Sequence, residues 1–130
     1  MINIVLDTNI IISSRISAAG NTMKIMRLIA DGQLNLYYNS EILNEYKRVL
    51  AYKKFNFSIE SQKATIEDIE NIGTIINPTA STILLPDESD RVFYDTAKAA
   101  NAYLITGNLK HYPEEPHILT PTQFVEIFEK

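Results

Sequence analysis

Short apolar runs alternating with longer helix-patterned segments predict an α/β fold, a central, mostly parallel β-sheet with helices on both faces. The runs are rich in Ile, Val and Leu and too short for helices, as expected of strands covered on both sides. The segments between them repeat apolar residues three and four apart, the spacing of an amphipathic helix. The 130 residues suffice for one real core but not two, and no repeat, low-complexity tract or Gly/Ser linker divides them. Residues 1–130 are therefore read as a single domain.

Ile2 to Leu6 is the first strand. Ile10 to Ile12 open a short helix, and Met23, Ile25, Met26, Leu28 and Ile29 pattern a second that stops near Asp31-Gly32. Leu34 to Tyr38 is the second strand. Ser40 is the expected N-cap of a helix carrying Ile42, Leu43, Tyr46, Val49 and Leu50. A more polar helix covers Ile59 to Asn71, and Thr74 to Ile76 forms a third strand before Pro78. Asp87 to Asn101 is expected to be helical, Tyr103 to Thr106 a buried strand, and Ile118-Leu119 a short last one. Pro121 suits the first turn of a closing helix through Phe128. In sheets wound this way, ligands bind beyond the carboxyl ends of the strands.

Composition narrows the function classes. A hydrophobic fraction of 45% and a charged fraction of 22% are ordinary for a soluble globular protein. With no cysteine, a disulfide framework, a thiolate zinc site and a cysteine nucleophile are excluded. The opening MINIVLDTNIIISS is broken by Asp7, Thr8 and Asn9 and lacks a preceding basic region, so neither a signal peptide nor a membrane span is expected. A cytoplasmic location follows as the expectation. Twelve basic against 16 acidic residues give a net charge of −4, which disfavours a sequence-independent DNA coat. A nuclease stays open, because metal ions can mask an acidic site.

Acids stand where ligands are expected. Asp7 follows the first strand directly; a lone Asp there is usually a helix cap, unless further acids converge on the same edge. Glu45 lies roughly 40° outside Val49 on the helical wheel, at the border of the buried stripe, and Glu41 about twice as far out. Glu41 is explained by the helix dipole. Glu45 either reaches inward or pairs in solvent with a nearby Lys or Arg. In LPDESDRVF, Asp87 and Glu88 suit a helix start, whereas Asp90 shares a face with Phe93, Ala97 and Ala100. Thr106, Gly107 and Asn108 follow another buried strand, with Gly107 permitting a sharp turn and Asn108 a candidate cap. His111 reads as a surface residue, and His111 and His117 are too scattered for a zinc site.

In this order, Asp7-Thr8-Asn9, Glu45 in SEILNEYKRVL, Asp90 in PDESDRVFYDTAKAA and Thr106-Gly107-Asn108, the chain resembles the PIN-domain nucleases. It is most similar in plan to the VapC-like single-domain toxins of toxin–antitoxin pairs, over essentially its whole length. The resemblance implies a PIN-like fold and a metal-dependent endoribonuclease with Mg²⁺ (or Mn²⁺) as cofactor. It implies Asp7, Glu45 and Asp90 as metal ligands and catalytic residues, with Asn108 at the fourth position and Thr106 as a hydroxyl beside them. The family commonly has Asp where this chain has Asn108, which puts a second metal in doubt. The partners implied are an RNA substrate, a cognate antitoxin and a second copy in a homodimer.

The chemistry agrees: Mg²⁺ takes oxygen ligands and keeps several waters, and metal-activated water needs no covalent nucleophile. Lys47, Arg48, Lys53, Lys54 and Lys110 either contact flanking phosphates or complement helix dipoles. Rival readings are a degenerate PIN domain that binds without cutting, an aspartyl-nucleophile phosphatase and a structural partner-binding module. The phosphatase is disfavoured because Asp7-Thr8-Asn9 lacks a second Asp two residues on.

Overall fold

A computed structural model describes residues 1–17 and 19–129. Among the described residues five strands form one sheet in the order β3-β2-β1-β4-β5, and every pairing is parallel. They are β1 (Ile2–Leu6), β2 (Leu34–Tyr38), β3 (Thr74–Ile75), β4 (Tyr103–Ile105) and β5 (Ile118–Leu119). The helices are α1 (Thr8–Ile16), α2 (Asn21–Ala30), α3 (Ser40–Leu50), α4 (Ile59–Ile72), α5 (Arg91–Ala100) and α6 (Pro121–Phe128), and they flank both faces. Among the described residues no helix is long and apolar enough to cross a membrane.

The core is what the apolar runs dictate. Ile4, Val5 and Leu6 are fully buried in the central strand, against Leu36, Ile42, Tyr46, Phe93 and Leu104. Gly32, at a positive φ of 76°, ends α2 where a side chain would be strained. A Cβ on Gly73 would lie 2.6 Å from the Tyr38 ring, so only glycine lets β3 turn in beside β2.

Several boundaries differ from expectation: β4 ends at Ile105 rather than Thr106, α4 runs one residue past Asn71, and three others have a structural reason. Asn39, not Ser40, caps α3: its side chain accepts from the Ile42 N–H, while its amide donates to the Ile76 carbonyl and to Thr96 Oγ1. An amide can do all three, and a serine hydroxyl cannot. The helix expected over 87–101 is split into a 3₁₀ turn (Glu88–Asp90), capped by Asp87, and α5. The third strand stops at Ile75, although the Ile76 N–H still donates to the Tyr38 carbonyl.

Strand order fixes the place to look. The chain leaves β1 toward β2 and β3, then returns to the other side of β1 as β4. The order reverses between β1 and β4, where an open α/β sheet leaves a crevice at its carboxyl edge. Register pairs Leu6 with Ile105, so Asp7 and Thr106 emerge side by side into that crevice.

Candidate active site at the carboxyl edge of the sheet

Asp7 is buried and held by three donors. Oδ1 accepts from the Thr8 N–H at 2.7 Å, which makes Asp7 the N-cap of α1. Oδ2 accepts from Thr106 Oγ1 at 2.8 Å and from the Tyr112 hydroxyl at 3.1 Å. A cap needs only the first contact; the other two come from residues about a hundred positions away and fix the carboxylate from the far strand. Burial, then the charge of Asp7, push the Tyr112 hydroxyl well above its ordinary range, so it stays a donor. The same two causes raise Tyr46, whose hydroxyl donates to the Leu6 carbonyl at the strand end.

Asp90 ends the 3₁₀ turn and is only 8% exposed. Burial, then the neighbouring charge of Asp7, push its carboxyl up to about 6, partly offset by His111. Its Oδ2 is buried without a hydrogen bond, and so is Thr8 Oγ1. His111 Nδ1 lies 3.2 Å from that Oδ2, close enough for charge attraction but not aligned as a hydrogen bond. Asp7, Thr8, Asp90 and His111 line a common cavity of about 200 Å³, and Glu45 stands at its wall. Larger cavities of about 440 and 450 Å³ lie beside Lys98 and between α3 and α4, away from these acids.

The remaining expected residues are placed less directly. Glu45 is half-buried on the border of α3, whereas Glu41 is exposed, as the helical wheel separates them. Both Glu45 oxygens accept from Arg48 Nη2, at 2.7 and 2.6 Å, so the pairing with a nearby Arg is also present. Thr106 is fully buried and accepts from the Asn108 N–H at 3.0 Å while donating to Asp7. That hydroxyl closes the turn after β4, and Gly107 needs no left-handed conformation there. The Asn108 amide lies 2.9 Å from His111 Nε2, so Asn108 meets the cavity through His111.

Among the described residues, no three His, Asp or Glu side chains converge as a ready-made metal cluster. The donor set nonetheless fits a hard cation: the unpartnered Asp90 oxygen and Thr8 hydroxyl belong to residues that line the cavity together with Asp7. Sequence reasoning missed Tyr112; His111, read as a surface residue, has a side chain 42% exposed that also reaches Asp90. Nothing in LKHYP marks either, because their partners Asp7 and Asp90 are supplied by other elements.

The chain is similar to known proteins over nearly its whole length. The profile of the family described as PIN domain matches residues 3–110. An uncharacterized protein of Methanocaldococcus jannaschii is 28% identical, covering 99% of this chain and 93% of that protein. Among solved structures, a chain of VapBC2 from Rickettsia felis, crystallised bound to a DNA fragment from their promoter, superposes with a TM-score of 0.62. It shares 19% identity over 92% of this chain and 97% of that one, a likeness of fold.

Proposed function

Because the chain belongs to the PIN domain family, we propose that it is a metal-dependent endoribonuclease, one domain over residues 1–130, and the toxin of a toxin–antitoxin pair in the cytoplasm. The carrying observation is the pair of buried carboxylates, Asp7 and Asp90, at the switch point of the sheet, with one Asp90 oxygen unsatisfied. A group raised by burial and by a like charge, in a cleft, is a functional candidate with a physical cause. The partners on this reading are RNA, a cognate antitoxin and a second copy of the chain.

Mg²⁺ or Mn²⁺ would be held by Asp7 and Asp90, with Glu45 joining once Arg48 lets go and Asn108 offering a neutral oxygen. Such an ion, when bound, supplies charge relief at the phosphate and an acidified water. Thr106 and Tyr112 hold Asp7 in one orientation, which removes the reorganisation a free carboxylate would need. His111 Nδ1 stands 3.2 Å from Asp90 Oδ2, and the Asn108 amide contacts its Nε2 and steadies the ring. The decisive experiment is cleavage of labelled RNA by purified protein with Mn²⁺ and with chelator. Cleavage that needs the metal and vanishes in Asp7→Asn supports the reading; cleavage retained in Asp7→Asn, free of host nuclease, removes it.

Two observations favour a second reading, a PIN domain that binds RNA or a protein without cutting. Glu45 is tied up by Arg48, and Asn108 is neutral and turned to His111. RNA binding with no Mn²⁺-induced rise in melting temperature and no cleavage would select it.

A further inference from the structure

Just past α3 the chain carries Tyr52, a 3₁₀ turn over Lys53–Phe55, and Phe57. Asn56, at a left-handed φ of 53°, turns the chain back so that Phe57 returns onto Phe55. The rings form a ladder: Tyr52 and Phe55 lie 6.4 Å apart at 8°, and Phe55 and Phe57 5.8 Å apart at 20°. Cations border it, with the Arg48 guanidinium 5.6 Å from the Tyr52 centroid and Lys54 Nζ 5.1 Å from that of Phe55. The Tyr52 hydroxyl also accepts from Arg48 Nη1. Tyr52 is 38% exposed, and Phe55 and Phe57 are half-buried. Phe55 and Phe57 pack part of their surface against the core, which anchors the ladder, and leave the rest open.

Place and charge decide what the ladder suits. Tyr52, Lys54 and Phe55 line the same cavity as Asp7 and Asp90, so the ladder leads out of the acidic site. Lys47, Arg48, Lys53 and Lys54 gather within eight residues of a chain whose net charge is −4. Half-exposed aromatic faces interleaved with Arg and Lys match a strand that offers unpaired bases and phosphates alternately. A duplex offers its phosphates but keeps its bases stacked on one another.

We propose that Tyr52, Phe55 and Phe57 form a stacking platform for the bases of single-stranded RNA flanking the acidic cavity, with Arg48 and Lys54 beside it for the phosphates. The proposal deepens the ribonuclease reading and rests on it for RNA as the strand. Arg48 and Lys54, both exposed, swing from ring to phosphate as the bases arrive. Arg48 thereby leaves Glu45, linking entry of the strand to release of that carboxylate.

The test measures binding without metal, so that cleavage plays no part. The probes are a labelled single-stranded oligoadenylate, an abasic backbone of equal length and a blunt RNA duplex, each followed by fluorescence anisotropy in chelator. Tyr52→Leu and Phe55→Leu, which keep apolar bulk, should each weaken oligoadenylate binding about 5- to 100-fold. They should leave the abasic strand and duplex nearly unchanged, and Tyr52→Phe should bind like the unmodified protein. Unchanged melting temperatures establish that the variants are folded. If Tyr52→Leu and Phe55→Leu bind oligoadenylate normally, or weaken all three probes alike, the platform is wrong. Cleavage that depends on Asp7 would then still uphold the nuclease. Ring-dependent binding with no cleavage under any metal would retire the nuclease and keep the platform as a binding surface.

Discussion

At the scale of single residues, Asp90 makes a prediction with a definite sign. Its carboxyl titrates at about 6 in the folded protein, above the ordinary carboxylate value near 3.9. Between these values the folded state holds a proton that the unfolded state has lost, so stability falls as pH rises from about 4 to about 6. Other acids tilt the curve the opposite way; Arg91 lowers Glu88, and Lys98 lowers Glu115. The difference between the unmodified protein and Asp90→Asn isolates the Asp90 contribution. In chelator, Asp90→Asn should gain about 1–3 kcal/mol relative to the unmodified protein between pH 4 and pH 7, read by urea denaturation. A pH-independent difference would mean that Asp90 titrates normally. Asp7→Asn offers a companion measurement. Asn caps a helix as well as Asp, so α1 should survive, although an amide nitrogen in place of Oδ2 can no longer accept from Thr106 and Tyr112. Removing the Asp7 charge should move the Asp90 titration below 6 without restoring the ordinary value, because burial is the larger cause. Carboxyl titration by NMR would show it, and an unmoved Asp90 would mean that the two carboxylates do not sense each other.

At the scale of elements, Asn39 joins three pieces of the fold: the first turn of α3, the residue after β3 and a threonine of α5. Asn39→Ala removes a cap and leaves buried groups unpaired, which should destabilise by about 2–4 kcal/mol. Asn39→Asp keeps the cap but sets a buried carboxylate oxygen against the Ile76 carbonyl oxygen, and should cost at least as much as Asn39→Ala. An Asn39→Asp variant as stable as the unmodified protein would show that the two donated bonds contribute nothing here. Glu45 lies on the same helix as Tyr46, whose hydroxyl reaches the end of β1, so α3 presents Glu45 to the cavity wall wherever its core face is seated.

At the scale of the whole molecule, the proposed metal couples to folding. Ions that bind only the folded state stabilise by mass action, about 2.7 kcal/mol at one hundred times the dissociation constant. Mn²⁺ should therefore raise the melting temperature. The rise should shrink in Glu45→Gln and Asp90→Asn and persist in Glu41→Gln, whose side chain is exposed and away from the cavity. Loss of the rise in Glu41→Gln alone would assign the wrong glutamate. Asn108→Asp adds a negative charge beside His111 and should strengthen binding of a second ion in calorimetry. Unchanged stoichiometry and affinity would leave Asn108 as a partner of His111 only.

The sequence by itself determined the two central strands, because strands covered on both faces are rich in apolar residues, and Ile2–Leu6 and Leu34–Tyr38 are read to the residue. It also ranked Glu45 above Glu41, since helical periodicity is a local property. Tertiary structure decided everything that depends on which ends meet. The Leu6–Ile105 register brings Thr106 to Asp7, and the turn after β4 brings Tyr112 to the same oxygen. Asn39 took the cap from Ser40 because its amide had distant partners in α5 and after β3. The elevated titration of Asp90 arises from burial and from a carboxylate more than eighty positions earlier, and neither is written in the residues around it. Local pattern reports the faces that must be hidden, whereas a site is made by groups of distant origin that share one small, poorly solvated space.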